Sequence, residues 1–342
     1  MTPATWPRAE PDTARLLRID PARHTLSDAR VADLPRILRA GDLLVVNDAA
    51  TLPASLGGRT SGGESVEVRL VGSDAGGDFT AVLFGAGDWR ERTEDRPPPP
   101  PLREGERLSF GPDFGATLTS ISPLSARLVR LRLDREGEAL WNGLYRYGRP
   151  VQYSHIERPL ALGHVQTAYA SRPWSAELPS AGYPLTLGLL LRLRRAGVEL
   201  ATLTHAAGLS STGDPTLDAH LPLPEPFEIP PETVEAVEGA KVRGCRVVAV
   251  GTTVVRALEG AAAAARGRLH PGPGVTDLRI GAAHRPVVVD GLLTGIHEPG
   301  TSHFTLLTAF APAELLEQAY RHAEAAGYVG HEFGDSSLIQ SN

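Results

Sequence analysis

The stretch Val247-Val248-Ala249-Val250-Gly251-Thr252-Thr253-Val254-Val255-Arg256-Ala257-Leu258-Glu259 constrains the fold of this chain more than any other. Its first four residues are continuously apolar, the pattern of a strand buried on both faces. Gly251 then permits a tight turn, and the residues after it read as a helix with Arg256 one turn in. The first N–H groups of such a helix lack intrahelical partners, so an anion or a polar ligand edge can be received there. Thr252 and Thr253 can also cap the helix. Junctions of this kind are common in α/β proteins and most bind nothing, so the segment indicates the fold class and leaves the activity open.

The same arrangement recurs along the chain. Leu34 to Ala40 reads as a helix leading into Gly41-Asp42-Leu43-Leu44-Val45-Val46-Asn47-Asp48, a buried strand that ends on two polar residues. Leu187, Leu190, Leu191 and Arg194 form a helix that Gly197 can end, and Val198 to Leu203 is the next strand, running on to His205. Pro231 opens another helix where its missing N–H costs nothing, and Gly244 closes it before the strand Cys245 to Val250. A further apolar strand, Val287 to Leu293, precedes Gly295-Ile296-His297-Glu298-Pro299. Alternating helix, glycine, strand and loop predict a layered α/β core with ligands at the strand ends.

Between these segments the texture differs. Val66, Val68 and Leu70, and later Val129, Leu131 and Leu133, alternate with charged residues and predict strands with one apolar face. The prolines 97 to 101 cannot join a sheet interior and predict an exposed extended loop. The expected organisation is an α/β core domain over residues 1–56 and 149–342 with an all-β, barrel-like domain inserted at 57–148.

At 342 residues the chain can bury a large core. A formal net charge of -6 gives no general basic field for nucleic acid, although a local patch can still bind one. The single cysteine, Cys245, rules out an intrachain disulfide or a cysteine-rich metal site and reads as a packing residue. The first residues lack a basic stretch followed by an apolar core, and no apolar run approaches the roughly 18 residues that span a membrane, so a cytoplasmic protein is expected.

Several motifs in one order make the chain resemble the S-adenosylmethionine:tRNA ribosyltransferase-isomerase family of the queuosine pathway. The carriers are Gly41-Asp42 to Asn47-Asp48 and Gly251-Thr252-Thr253; Gln166-Thr167-Ala168-Tyr169, similar to Tyr-Gln-Thr-Val-Tyr; and Pro179-Ser180-Ala181-Gly182, similar to Pro-Thr-Ala-Gly. Thr204-His205 with Gly208, His220 with Glu225, His297-Glu298-Pro299 and Gly334-Asp335 follow in the family's order. The resemblance implies an α/β domain carrying an inserted β-barrel. It also implies transfer of the ribosyl group of S-adenosylmethionine, a co-substrate, to the amine of a 7-aminomethyl-7-deazaguanine base in tRNA, with loss of adenine and methionine and rearrangement to an epoxycyclopentane.

That chemistry needs a base for an acidic C5′ hydrogen, a donor for departing adenine, and a cationic or N–H partner for the methionine carboxylate; it requires no metal. His205 and His297 are the leading candidates for the proton steps, because an unperturbed imidazole titrates near neutrality. Each can equally be a structural histidine bonded to nearby backbone. Asp335 is a third catalytic candidate. Asn47, Asp48, Gly251, Thr252, Thr253 and Arg256 are the expected S-adenosylmethionine contacts, with Arg256 a carboxylate clamp or a surface or interdomain ion pair.

Departures from the family pattern bear on the acceptor. Ala49, Ala50 and Ser55 stand where the family has Thr-Arg and a later arginine. Val151-Gln152-Tyr153-Ser154-His155-Ile156 replaces Pro-Leu-Pro-Pro-Tyr-Ile, and Val329-Gly330-His331-Glu332-Phe333 replaces Arg-Phe-Phe-Ser-Tyr. The acceptor is therefore tRNA or a small deazapurine or nucleoside, and a non-catalytic S-adenosylmethionine-binding protein is the third reading.

Overall fold

The computed structural model describes residues 1–73 and 76–340. A nine-stranded sheet has the order Gly272–Thr276, Glu225–Ile229, Glu199–His205, Leu43–Asn47, Val247–Val250, Gly291–Gly295, Ser336–Gln340, Arg15–Asp20, Thr25–Arg30. Its four central strands, from Glu199–His205 to Gly291–Gly295, run parallel. Every residue of Leu43–Asn47 is buried, as its unbroken apolar run requires. Leu43, Val45, Val247, Ala249 and Leu292 pack with helices Pro231–Val242, Thr252–Ala264 and Ala313–Ala325 on one face. Leu44, Val46, Val248, Val250 and Leu293 pack with Leu189 and Leu193 of helix Leu187–Arg195 on the other. Period-two alternation within each strand thus supplies both faces of a layered α/β domain.

Leu43–Asn47, the first of the central strands in sequence, has a later parallel strand on either side of it. The chain reverses its direction of growth there, the position at which open α/β sheets place a ligand, outside the carboxyl ends of the strands. Asn47, His205, Gly251 and Gly295 all lie at those ends.

A second sheet closes on itself. Strands Ser55–Thr60, Ser65–Ser73, Phe79–Phe84, Leu128–Leu133, Phe114–Ile121 and Arg107–Gly111 pair in that order, and the last returns to the first through Arg59↔Ser109 and Thr60↔Leu108. Leu56, Val68, Leu70, Leu131 and Phe114 fill this antiparallel barrel, and closure leaves no open edge. Pro97 and Pro98 run outside the strands, where the Pro97 carbonyl accepts from Gly85 N at 3.0 Å.

Local readings of the sequence fail at four places. Glu67 and Arg69 alternate with apolar residues yet are buried, Arg69 at 1% exposure, because Glu67 accepts from Arg69 Nε at 2.8 Å and Arg96 Nη1 at 2.6 Å while Arg69 and Arg96 lie over Phe84. The run Val287 to Leu293 forms a strand only from Gly291, because Glu259 takes the N–H groups of Val287, Val288 and Val289. Strand Val247–Val250 begins two residues later than expected, leaving Cys245 half-buried beside Gly41. Leu187 and Leu191 are exposed, and Leu189 and Leu193 carry the buried stripe of their helix. No helix among the described residues is long and apolar enough to cross a membrane.

Candidate functional site

Asn47 ends its strand with a buried side chain that acts as an extra rung between neighbours. Its Oδ1 accepts from His205 N at 2.9 Å and Ala49 N at 3.1 Å, and its Nδ2 donates to His205 O at 3.0 Å. The same Nδ2 lies 3.4 Å from Thr253 Oγ1, so the ends of three adjacent strands meet at one amide. Asp48 points elsewhere: its Oδ1 accepts from Thr204 Oγ1 at 2.6 Å and its Oδ2 from Ser171 Oγ at 2.8 Å.

Gly251 has φ 91°, a left-handed conformation that favours glycine, and its N–H donates to Leu293 O at 2.8 Å. It occupies the cap position of helix Thr252–Ala264, and no side chain caps that helix. Thr252 and Thr253 are the first two helical residues, past the position from which a hydroxyl reaches the free N–H groups, so neither is the expected cap. A Cβ on Gly251 would come 3.3 Å from Ala181 Cβ. One on Gly182 would come 1.9 Å from the Tyr169 hydroxyl, so only glycine fits beneath it. The motifs Gln166 to Tyr169 and Pro179 to Gly182 therefore form one wall beside the glycine turn. Gln166 fixes that wall by bonding the Thr51 backbone through Oε1 at 3.0 Å and Nε2 at 2.9 Å. The Tyr169 hydroxyl is buried without a hydrogen-bond partner among the described residues, and burial, then the Asp48 charge, push its pKa up.

His205 is 0% exposed, and neither ring nitrogen has a hydrogen-bond partner among the described residues. Its Nε2 lies 3.3 Å from Glu225 Oε2 but outside hydrogen-bonding alignment. Burial, then the positive charge of Arg256, lower its pKa to about 3, so the ring is neutral. Arg256 itself is an internal ion-pair partner rather than an open clamp. Its Nη1 donates to Glu225, its Nε to Leu278 O and its Nη2 to Thr276 O, both at 3.4 Å. Burial lowers its pKa to about 10, which leaves it charged at neutral pH. The other oxygen of Glu225 accepts from Gly208 N at 2.9 Å, tying the loop after His205 to this pair.

His297 is half-buried, hydrogen-bonded to Thr294 Oγ1 at 2.8 Å and stacked on His303 with centroids 4.9 Å apart. Desolvation, then His303, push its pKa well down, and desolvation with Arg256 lowers that of His303. Arg256 thus acts electrostatically on both histidine groups. Asp335 lies on the same sheet edge in a structural bond set, accepting from Arg8 Nη2 at 2.7 Å and from the N–H groups of Arg15 and Val329, each at 2.9 Å. His220 is exposed and bonds Thr216 O at 2.7 Å, apart from the Glu225 with which it travels in sequence.

The edge therefore gathers Asn47, His205, Gly251 and Thr253 directly, with Asp48 and Tyr169 behind them. Tyr169 and Glu225 sit inside recognisable motifs without standing out as candidates. His303, in Thr301-Ser302-His303, carries no sequence signal.

The family model described as "Queuosine biosynthesis protein" matches residues 2–339. The chain is similar to the S-adenosylmethionine:tRNA ribosyltransferase-isomerase of Thermus thermophilus, 38% identical over 339 residues that cover 96% of this chain and 93% of the relative. It is also similar to the enzyme of the same name from a Methylobacterium species, 35% identical over 347 residues covering 96% and 92%. The crystal structure of an S-adenosylmethionine tRNA ribosyltransferase from Thermotoga maritima shares the fold, with a TM-score of 0.53 at 24% identity, covering 99% of this chain and 96% of that one.

Proposed function

This chain belongs to the queuosine biosynthesis protein family, and from that premise we propose that it is an S-adenosylmethionine-dependent tRNA ribosyltransferase-isomerase. Its substrates are S-adenosylmethionine and a tRNA bearing a 7-aminomethyl-7-deazaguanine base, and the products include adenine and methionine. A tRNA substrate makes the cytoplasm the expected location.

The meeting of Asn47, His205 and Thr253 at the strand ends carries the reading. Unengaged polar atoms in a buried corner are what a ligand completes: both ring nitrogens of His205 and the hydroxyl of Tyr169. Gly182 and Gly251 let the wall pack closely, because a Cβ on Gly182 would come 1.9 Å from the Tyr169 hydroxyl and one on Gly251 3.3 Å from Ala181 Cβ. We assign Asn47 and Thr253 to the polar edge of S-adenosylmethionine and the first N–H groups of helix Thr252–Ala264 to its carboxylate. Arg256 holds Glu225 and sets the field at His205 instead of meeting that carboxylate. His205 and His297 are both neutral, so either can exchange hydrogen bonds with a ligand, while burial makes both weak bases at physiological pH. Asp335 acts by positioning Arg8 and the turn before the last strand.

Loss of the two expected arginines, at Ala50 and Ser55, favours a second reading, in which the acceptor is a free deazapurine or nucleoside. Incubating the protein with S-adenosylmethionine, with and without tRNA carrying the aminomethyl base, separates the two. Equal release of adenine and methionine only with that tRNA is expected. Release with the free base alone selects the second reading, and absence of release with either acceptor overturns both.

A further inference from the structure

We propose that His155, His331 and Glu332 form a binding site for a divalent transition metal, with zinc the best match. One ligand atom from each of the three residues lies within 4.8 Å of the others. His155 Nε2 is already 2.8 Å from Glu332 Oε2, and the two imidazole rings face each other with centroids 4.3 Å apart and a tilt of 34°. Ligands held at about 2.0–2.2 Å around a tetrahedral metal stand roughly 3.4 Å from one another, so small side-chain rotations close the set.

The ligand types select the ion. Two imidazoles with one carboxylate suit zinc or another borderline transition metal, whereas magnesium and calcium favour all-oxygen sets. Three protein ligands also leave a coordination position open. Next to it is a small cavity of about 20 Å³ lined by Tyr153, Glu177, Glu332 and Phe333 together with Thr51, Gln152 and apolar side chains. His331 is exposed, so an ion has a path in, while His155 and Glu332 are partly buried. The supporting shell is ordered. Tyr153 stacks parallel to His155 and donates to Glu177, and Glu177 accepts from Ser210 N at 3.1 Å. His331 is held at φ 66°, an unfavourable backbone for a histidine, by a turn in which Gly334 N donates to His331 O at 3.0 Å.

The three ligands come from two segments far apart in the chain, Val151 to Ile156 and Val329 to Phe333, which the fold brings together. An ordinary His155–Glu332 ion pair does not call for the second imidazole.

This inference does not depend on how S-adenosylmethionine is held, and its test reads metal directly. The untagged full chain, freed of metal with a chelator, is titrated with Co²⁺ followed optically and with Zn²⁺ followed calorimetrically. One equivalent of Co²⁺ should bind with the visible absorption of a low-coordinate nitrogen and oxygen site, and Zn²⁺ should displace it. His155→Ala and His331→Ala should each weaken zinc binding by roughly tenfold or more, while His284→Ala, in a His–Glu pair elsewhere, should leave it unchanged. Thermal melts of each variant show whether it remains folded. The wild-type protein binding neither ion, or a folded double variant His155→Ala/His331→Ala binding zinc as tightly as the wild type, would overturn the proposal.

Discussion

Midway along helix Thr252–Ala264, Glu259 is 1% exposed and accepts from Val288 N at 2.9 Å, from Val289 N and Val287 N at 3.0 Å, and from His284 Nε2 at 3.2 Å. Across from the start of the same helix, His205 is equally buried and neither ring nitrogen has a hydrogen bond among the described residues. Both groups are polar, both are out of water, and they are treated oppositely. Glu259 substitutes for a neighbouring strand, holding the chain before Gly291 where a ladder would otherwise form. At His205 the Asn47 side chain bonds only the backbone, which leaves the ring free to meet something outside the chain. Saturation marks a structural polar group, and unused bonding capacity at a strand end marks a site.

Breaking the saturated region should have the largest effect. Glu259→Ala leaves three N–H groups without their acceptor and should cost about 3 kcal/mol of stability, read as a lowered midpoint in urea, since each buried unsatisfied group costs roughly 1–3 kcal/mol. Affinity for S-adenosylmethionine per folded molecule should not change. A large loss of affinity in folded protein would mean that the two regions are one. Gly251→Ala should cost less, about 1–2 kcal/mol, because it forces a left-handed backbone on an L-residue. Here kcat/KM should fall more than stability does, and a variant as active as the wild type would remove the turn from the site.

The last effect concerns pH and is small over any single pH unit. His205 has a pKa of about 3 in the folded chain against 6.5 for an unperturbed imidazole. Between those values the unfolded chain holds a proton that the folded chain does not, so stability should fall as the pH drops from 6.5 towards 3, by at most about 1.4 kcal/mol per unit. His205→Asn should flatten that dependence in denaturant titrations at successive pH values. An unchanged slope would show that the ring is protonated or solvated in the fold.

Much of the architecture was legible in the sequence because it rests on local patterns. Unbroken apolar runs at Leu43 to Val46 and Val247 to Val250, and alternation at Val129 to Leu133, specify which strands are covered on two faces and which on one. The patterns failed where a distant charge intervened. Nothing near Val287 shows that Glu259 captures its N–H, and nothing near Glu67 and Arg69 shows that Arg96 joins their pair inside the molecule. The site divides in the same way. Asn47, Gly251 and His205 are strand-end residues and could be found from their positions. The pairing of Arg256 with Glu225, the Tyr169 hydroxyl over Gly182 and the stacking of His303 on His297 are products of the tertiary fold.

The central claim is that S-adenosylmethionine is held at the carboxyl ends of the central strands. A crystal structure of the protein with S-adenosylmethionine tests it most directly. The account predicts ligand density between Asn47 and Thr253, against the Gly182 and Gly251 wall, with the carboxylate at the start of helix Thr252–Ala264. Density within the barrel or elsewhere, with the strand-end crevice holding only water, would contradict it.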